Sequence, residues 1–132
     1  MQLAHDLDVP VEFAGQVSQD DLVRSYNEAD VFVLPSFFEG LPLVSIEALA
    51  CGCKAVLTDL PGIRPWIESQ TSGGFIEFVE PPCMHDVDNP IEEDLPAFEE
   101  RLADALERAL AAPSELCDTS QVSWDALAKR LL

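Results

Sequence analysis

Two periods alternate along the chain. Val11-Glu12-Phe13-Ala14 switches between apolar and polar at every residue and stops at Gly15, which predicts a short strand, 11–15, entering a tight turn. Ser18 then offers an N-cap with Asp21 three residues on, and Leu22, Tyr26 and Ala29 follow at helical spacing behind an acidic first turn. Val31-Phe32-Val33-Leu34 is unbroken apolar and closed by Pro35, the pattern of a strand buried on both faces inside a parallel sheet. A helix over Leu43–Cys51 is expected next, with Pro42 at its first position and Gly52 as its C′ residue. Lys54–Thr58 reads as a strand, Asp59-Leu60-Pro61-Gly62 as a turn, the stretch around Trp66 as a short helix, and Phe75–Val79 as a strand. Strands alternating with helices predict an α/β domain with right-handed crossovers and about four parallel strands flanked by helices.

The pattern then changes. Residues 80–96 hold Pro81, Pro82, Pro90 and Pro96 among acidic residues, which predicts an irregular, solvated segment longer than a usual connection. C-terminal helices complete the chain over 97–132. One runs from about Leu95 to Ala111 with Phe98, Leu102, Leu106 and Leu110 on its inner face, and the other from about Val122 to Leu132. Arg101 and Arg108 lie among glutamates on what reads as a solvated face.

Length and charge narrow the classes of function. The 132 residues suit one domain, and 25 acidic against 7 basic residues give a net charge of −18. Such a surface repels phosphate backbones and anionic lipid, so no nucleic-acid partner is expected. No apolar run reaches the ~20 residues of a membrane span, and Met1-Gln2-Leu3 does not open a signal peptide, so the expected location is cytoplasmic. Cys51-Gly52-Cys53 lacks zinc spacing, and assembling Cys83 with His5 and His85 is possible only on paper, so no metal is expected.

The chemistry concentrates in Pro35–Glu47. A loop leaves the C-terminal end of a buried strand and turns directly into a helix, at the edge where open α/β sheets bind ligands. Free N–H groups at Leu41, Leu43 and Val44 would face an anion there, and Gly40 would allow a backbone path that a side chain obstructs. Glu47 is a lone carboxylate on the otherwise apolar helix Leu43-Val44-Ser45-Ile46-Glu47-Ala48-Leu49-Ala50, a group that seeks donors such as a sugar diol. Glu39 precedes it by eight residues, about 12 Å of helical rise. From spacing alone, a solvated Glu47 and a Glu39 that merely favours the helix N-terminus remain an equal alternative.

The frame Pro-Ser-x-x-Glu-Gly-x-Pro-x-x-x-x-Glu-Ala-x-Ala-x-Gly, over residues 35–52, resembles the donor-binding signature of the group 1 glycosyltransferases. These are retaining, nucleotide-sugar-dependent enzymes of the GT-B fold. Val11–Val17, Glu28–Ser36, Thr58–Gly62 and Ser123-Trp124 resemble further landmarks of that family in the same order. The resemblance implies that Glu47 binds the ribose hydroxyls of the donor nucleotide. It also implies a catalytic place for Glu39 beside the transferred sugar, main-chain contacts from Gly40, Leu41, Leu43 and Val44 to sugar or diphosphate, and nucleobase reading near Gln16 and Val17. Ser36 and Ser45 border the same crevice. The partner is then a nucleoside-diphosphate sugar acting as donor substrate, with no cofactor and no metal.

Two family features have no counterpart. The N-terminal acceptor domain and the first donor-domain strands, which carry an Arg/Lys pair, are not matched, and Lys54, Arg24 and Arg64 occupy neither cationic position. The expectation is therefore a truncated, partial Rossmann-like domain over 1–132, the later part of a GT-B C-terminal domain, inactive alone. Strand 11–15 is expected to shift in beside 31–35, with self-association through remaining exposed edges or apolar faces. Two rival readings remain: a non-catalytic acidic interaction module that keeps the motif as ancestry, and a sugar-nucleotide epimerase fragment.

Overall fold

A computed structural model describes residues 6–131. Helix α1 (Gln19–Glu28) leads to strand β1 (Val31–Leu34), helix α2 (Leu43–Ala50), strand β2 (Lys54–Thr58) and helix α3 (Ile63–Gln70). Short strand β3 (Ser72–Gly73) precedes β4 (Ile76–Val79), a hairpin of β5 (Met84–Asp86) and β6 (Asn89–Pro90), and helix α4 (Leu95–Ala111). Strand β7 (Cys117–Asp118) and helix α5 (Trp124–Leu131) close the described chain. No helix among the described residues is long and apolar enough to cross a membrane. His5, and Leu132 at the predicted end of the last helix, lie outside the described residues.

A three-stranded parallel sheet in the order β1-β2-β4 forms the centre, with Val33 opposite Val56 and Val56 opposite Glu77. All five residues of β2 are buried because helices cover both faces. Ala55 and Leu57 point to a layer made by Ile46 and Leu49 of α2 with Ile63 and Ile67 of α3, whereas Val56 meets Phe98, Ala105 and Ala109 of α4. Each large aliphatic buried there contributes about 1.5–3 kcal/mol by leaving water. Lys54 is the exception in β2. Only 8% exposed, it donates from Nζ to the Ala109 carbonyl at 2.8 Å and to that of Ala112, a cation at the carbonyl end of α4.

Several expectations hold at the level of single residues. Ser18 caps α1, accepting from the Asp21 N–H at 3.2 Å and donating its hydroxyl to the Asp21 carboxylate at 2.7 Å. Gly52 takes φ +95° beyond α2, the left-handed conformation that a C′ glycine serves. Gly74 is required for two reasons: its φ is +76°, and a Cβ there would stand 2.7 Å from the Cβ of Cys117.

Others are corrected. Residues 11–15 form no strand and do not pair with β1, so the sheet has three parallel strands rather than about four. Although β1 leaves an edge open, Val11 and Phe13 remain 51% and 56% exposed, so this four-residue alternation buries too little apolar surface to offset its ordering cost. β1 is consequently an edge strand, half-buried, with Val33 exposed, and the fully buried strand is β2. Pro42 is the N-cap residue of α2 rather than its first turn. Residues 80–96 are not wholly irregular: they fold into the β5–β6 hairpin, with Asp88 at φ +64° in its turn, followed by a 3-10 turn over Glu92–Asp94. The inner face of α4 carries Phe98, Leu102 and Leu106 as expected, with Ala105 and Ala109 fully buried among them, whereas Leu110 is 61% exposed and lies off that face.

Candidate functional site

The C-terminal ends of β1, β2 and β4 open onto one side of the sheet, and three connections meet there. The loop after β1 carries Phe37, Phe38 and Glu39. The turn after β2 carries Leu60 and Pro61, and the chain after β4 carries Pro81 and the β5–β6 hairpin. Together they line a cleft of about 470 Å³, within the range of roughly 300–1,000 Å³ usual for small-molecule sites. Phe37 anchors the first loop by an edge-on contact with Phe98 of α4, ring centroids 5.4 Å apart, which leaves Phe38 63% exposed.

Glu39 is half-buried at the mouth of this cleft, held by a 2.7 Å hydrogen bond that the Ser36 hydroxyl donates to its carboxylate. Glu39 and Leu60 also border a narrow recess whose wall includes Thr58. Thr58 is 3% exposed and its Oγ1 has no hydrogen-bond partner. Ser45 Oγ, in α2, is likewise buried and unpartnered. Buried hydroxyls are ordinarily satisfied, and leaving one unpaired costs about 1–3 kcal/mol.

Glu47, the fifth residue of α2, is half-buried, and its carboxylate accepts no hydrogen bond from any described residue. Its surroundings are visible in Tyr26, whose phenol pKa is pushed up first by burial and then by the charge of Glu47. Tyr26 belongs to α1 and packs with Ala48, the neighbour of Glu47 in α2. At the start of α2 the Leu43 N–H donates to the Leu41 carbonyl at 2.8 Å, whereas those of Leu41 and Val44 donate to no described group. Gly40 differs from its expected role: its φ is not in the left-handed region and an added Cβ would meet nothing within 4 Å, so the chain itself leaves room for a Cβ there. Gln16 and Val17 lie in exposed chain ahead of α1, and no hydrogen bond joins them to the Glu39–Glu47 segment.

Cations are scarce at this edge. Arg64 pairs with Asp59 at 2.7 Å and stacks 4.6 Å from the centre of the Phe78 ring, and Arg101 donates to the carbonyls of Glu80 and Pro81. Neither lines the cleft. Among the described residues, no group of three or more His, Cys, Asp or Glu side chains is arranged to hold a metal ion. Sequence reasoning passed over Phe38, Thr58, Asp86 and Asp88. The signals were present in Phe37-Phe38 next to Glu39, a hydroxyl ending an apolar strand, and the spacing Asp86-Val87-Asp88 in a segment whose composition reads as solvated.

Comparison with known proteins adds an independent line. A family model described as "Glycosyl transferases group 1" matches residues 1–87. D-inositol 3-phosphate glycosyltransferase of Salinispora tropica is 29% identical over 122 residues, 92% of this chain and 23% of that protein. The amylovoran biosynthesis glycosyltransferase AmsK of Erwinia amylovora is 36% identical over 74 residues, 52% of this chain and 18% of that one. Sucrose-phosphate synthase from Thermosynechococcus elongatus superposes with a TM-score of 0.57 and 27% identity, covering 98% of this chain and 31% of its own. The chain thus spans about a quarter or less of the length of these curated relatives.

Proposed function

We propose that this chain, which belongs to the group 1 glycosyltransferases, is the later part of the donor-binding half of a retaining enzyme that moves a hexosyl unit from a nucleoside-diphosphate sugar to a glycan or lipid acceptor. The observation that carries this reading is Glu47: a half-buried carboxylate without a hydrogen-bond donor, eight residues from a second carboxylate at the mouth of a cleft. A ribose diol supplies two donors to such a group, each a charge-assisted bond. The free N–H groups of Leu41 and Val44, at the positive end of α2, then meet phosphate oxygens, and Glu39, steadied by Ser36, takes hydroxyls of the transferred sugar.

In a retaining transfer the leaving phosphate itself assists front-side attack, and the protein orients the sugar and stabilises developing charge. Glu39 suits orientation because its carboxylate is fixed rather than free to rotate. Alone, the chain offers one edge of this site and transfers nothing. The experiment is calorimetry of nucleoside-diphosphate sugars with the protein in which this domain is joined to an acceptor domain. Glu47→Gln is expected to lose about 1–3 kcal/mol of donor affinity with normal folding. Unchanged affinity would overturn the assignment and leave the non-catalytic module as the better reading.

A further inference from the structure

We propose that the narrow recess behind Glu39 is the site of one structural water molecule, which links the Thr58 hydroxyl to the Glu39 carboxylate and makes Thr58 a positioning residue for it. The water site stands on the geometry of the chain. Its consequence for sugar transfer rests on the donor-half reading above.

Thr58 ends β2, all of whose residues are buried. Valine has nearly the same shape and would fill this place without a polar atom, so packing does not account for the hydroxyl. Nor does the hydroxyl serve the turn that follows, the usual role of a threonine at the end of an element. There the Asp59 N–H donates to the Val79 carbonyl at 2.8 Å, the Leu60 N–H to the Thr58 carbonyl at 2.9 Å, and the Ile63 N–H to the Leu60 carbonyl at 3.1 Å. The nearby backbone donors are therefore engaged, and Thr58 Oγ1 is buried without a hydrogen-bond partner. Buried hydroxyls are satisfied by protein groups or by ordered water.

The recess that Thr58 borders suits one water. It offers about 10 Å³ to the centre of such a molecule, at the lower limit of roughly 10–15 Å³ that a single water needs. Buried Pro42, Leu57 and Ile63 wall it on the core side, and its polar side chains are Ser36, Glu39 and Thr58. Three such groups match the roughly 2–4 partners of a buried water. Ser36 donates its only hydroxyl proton to Glu39 Oε1 at 2.7 Å, and no described residue donates to Oε2. A water that accepts from Thr58 has two protons to give, one for Oε2 and one for the Ser36 oxygen. Glu39 is then held twice, by its own loop through Ser36 and by the end of β2 through Thr58. Thr58 does not line the larger cleft, so its effect on a ligand there passes through Glu39, which borders both spaces.

The test of the water is NMR cross-relaxation between water and the methyl groups of Leu57 and Ile63 in the full chain. The native protein and Thr58→Ser are expected to show one long-lived water there, and Thr58→Val to lose it while its amide spectrum stays folded. No such water in the native chain, or one that persists in Thr58→Val, would overturn the proposal. Should Thr58→Val fail to fold, Glu39→Ala on the surface loop carries the same test, because it too leaves the water fewer partners; an undiminished water signal there would be equally fatal. The positioning role is read in the protein in which this domain is joined to an acceptor domain. Thr58→Val should lower kcat about tenfold or more with donor KM within about twofold of native, and Thr58→Ser should restore most of the rate. In a Glu39→Gln background Thr58→Val should cost less than about twofold further, since both changes act through one carboxylate. A native kcat in Thr58→Val, or a loss that adds in full to that of Glu39→Gln, would overturn the positioning role. A native kcat in Glu39→Gln itself would overturn the place of Glu39 in the donor-half reading, with the water site still decided by NMR.

Discussion

Lys54 joins the sheet to α4, and replacing it by methionine isolates its ammonium. The stem remains, because methionine fills nearly the same buried volume, but both hydrogen bonds to the end of α4 disappear. A bond to a charged group contributes about 1.5–3 kcal/mol, and a cation at a helix C-terminus about 0.3–2 kcal/mol more. Against this, the variant no longer removes an ammonium from water, a cost of several kcal/mol in the native protein. The Ala109 carbonyl would be left at a fully buried residue, without its cation. The net expectation for Lys54→Met is a loss of about 3 kcal/mol, a large part of the ~5–15 kcal/mol that holds a domain folded. At about 2.1 cal/mol/K per residue, the unfolding entropy of 132 residues is about 0.28 kcal/mol/K, so Tm should fall by about 11 °C. Thermal and urea unfolding followed by circular dichroism measure both quantities. Lys54→Arg, which keeps the charge, should recover much of the loss. A drop below about 2 °C in Lys54→Met would mean that the two bonds merely offset the burial of the charge, and the reasoning would be refuted.

Glu39→Gln in the two-domain protein should lower kcat more than donor affinity, because its proposed place is at the reacting sugar; a change confined to KM would move Glu39 to a binding role. Gly74→Ala combines a left-handed backbone with a 2.7 Å clash against Cys117, so denaturation should show a loss of about 1–3 kcal/mol, and a neutral outcome would mean that the 116–118 segment shifts freely. The backbone N–H of Cys83, and then its side chain, hold the Asp94 carboxyl below its usual pKa. This tie is thus present above the ordinary carboxylate range and lost as pH falls through the lower folded value. The protection of the Cys83 amide, relative to its intrinsic exchange rate at the same pH, should therefore fall in acid in the native chain, and already be low at neutral pH in Asp94→Asn. Equal exchange in both forms at neutral pH would show that the bond does not hold the hairpin.

Local patterns determined most of the elements. Ser18 with Asp21, the apolar run closed by Pro35, Gly52 after α2, and the long amphipathic stretch at Leu95–Ala111 each encode their structure through contacts within a few residues. The motif from Pro35 to Gly52, with Glu39 and Glu47, was legible for the same reason: a strand, a loop and a helix follow one another without a break. Tertiary structure decided what depends on partners distant in sequence. Whether 11–15 becomes a strand depends on the apolar surface that pairing would bury, and β1 rather than β2 is the half-buried strand because only one of its sides is met by another described strand. The exact rotation of α4 was decided by the sheet, which buries Ala105 and Ala109 fully beside Phe98, Leu102 and Leu106 and leaves Leu110 outside. Most of all, the charge of the cleft arises from residues some fifty positions apart: Glu39 on one loop, Asp86 and Asp88 on another. Periodicity speaks only for neighbours along the chain, so it can place each carboxylate on a loop but not set the two loops face to face.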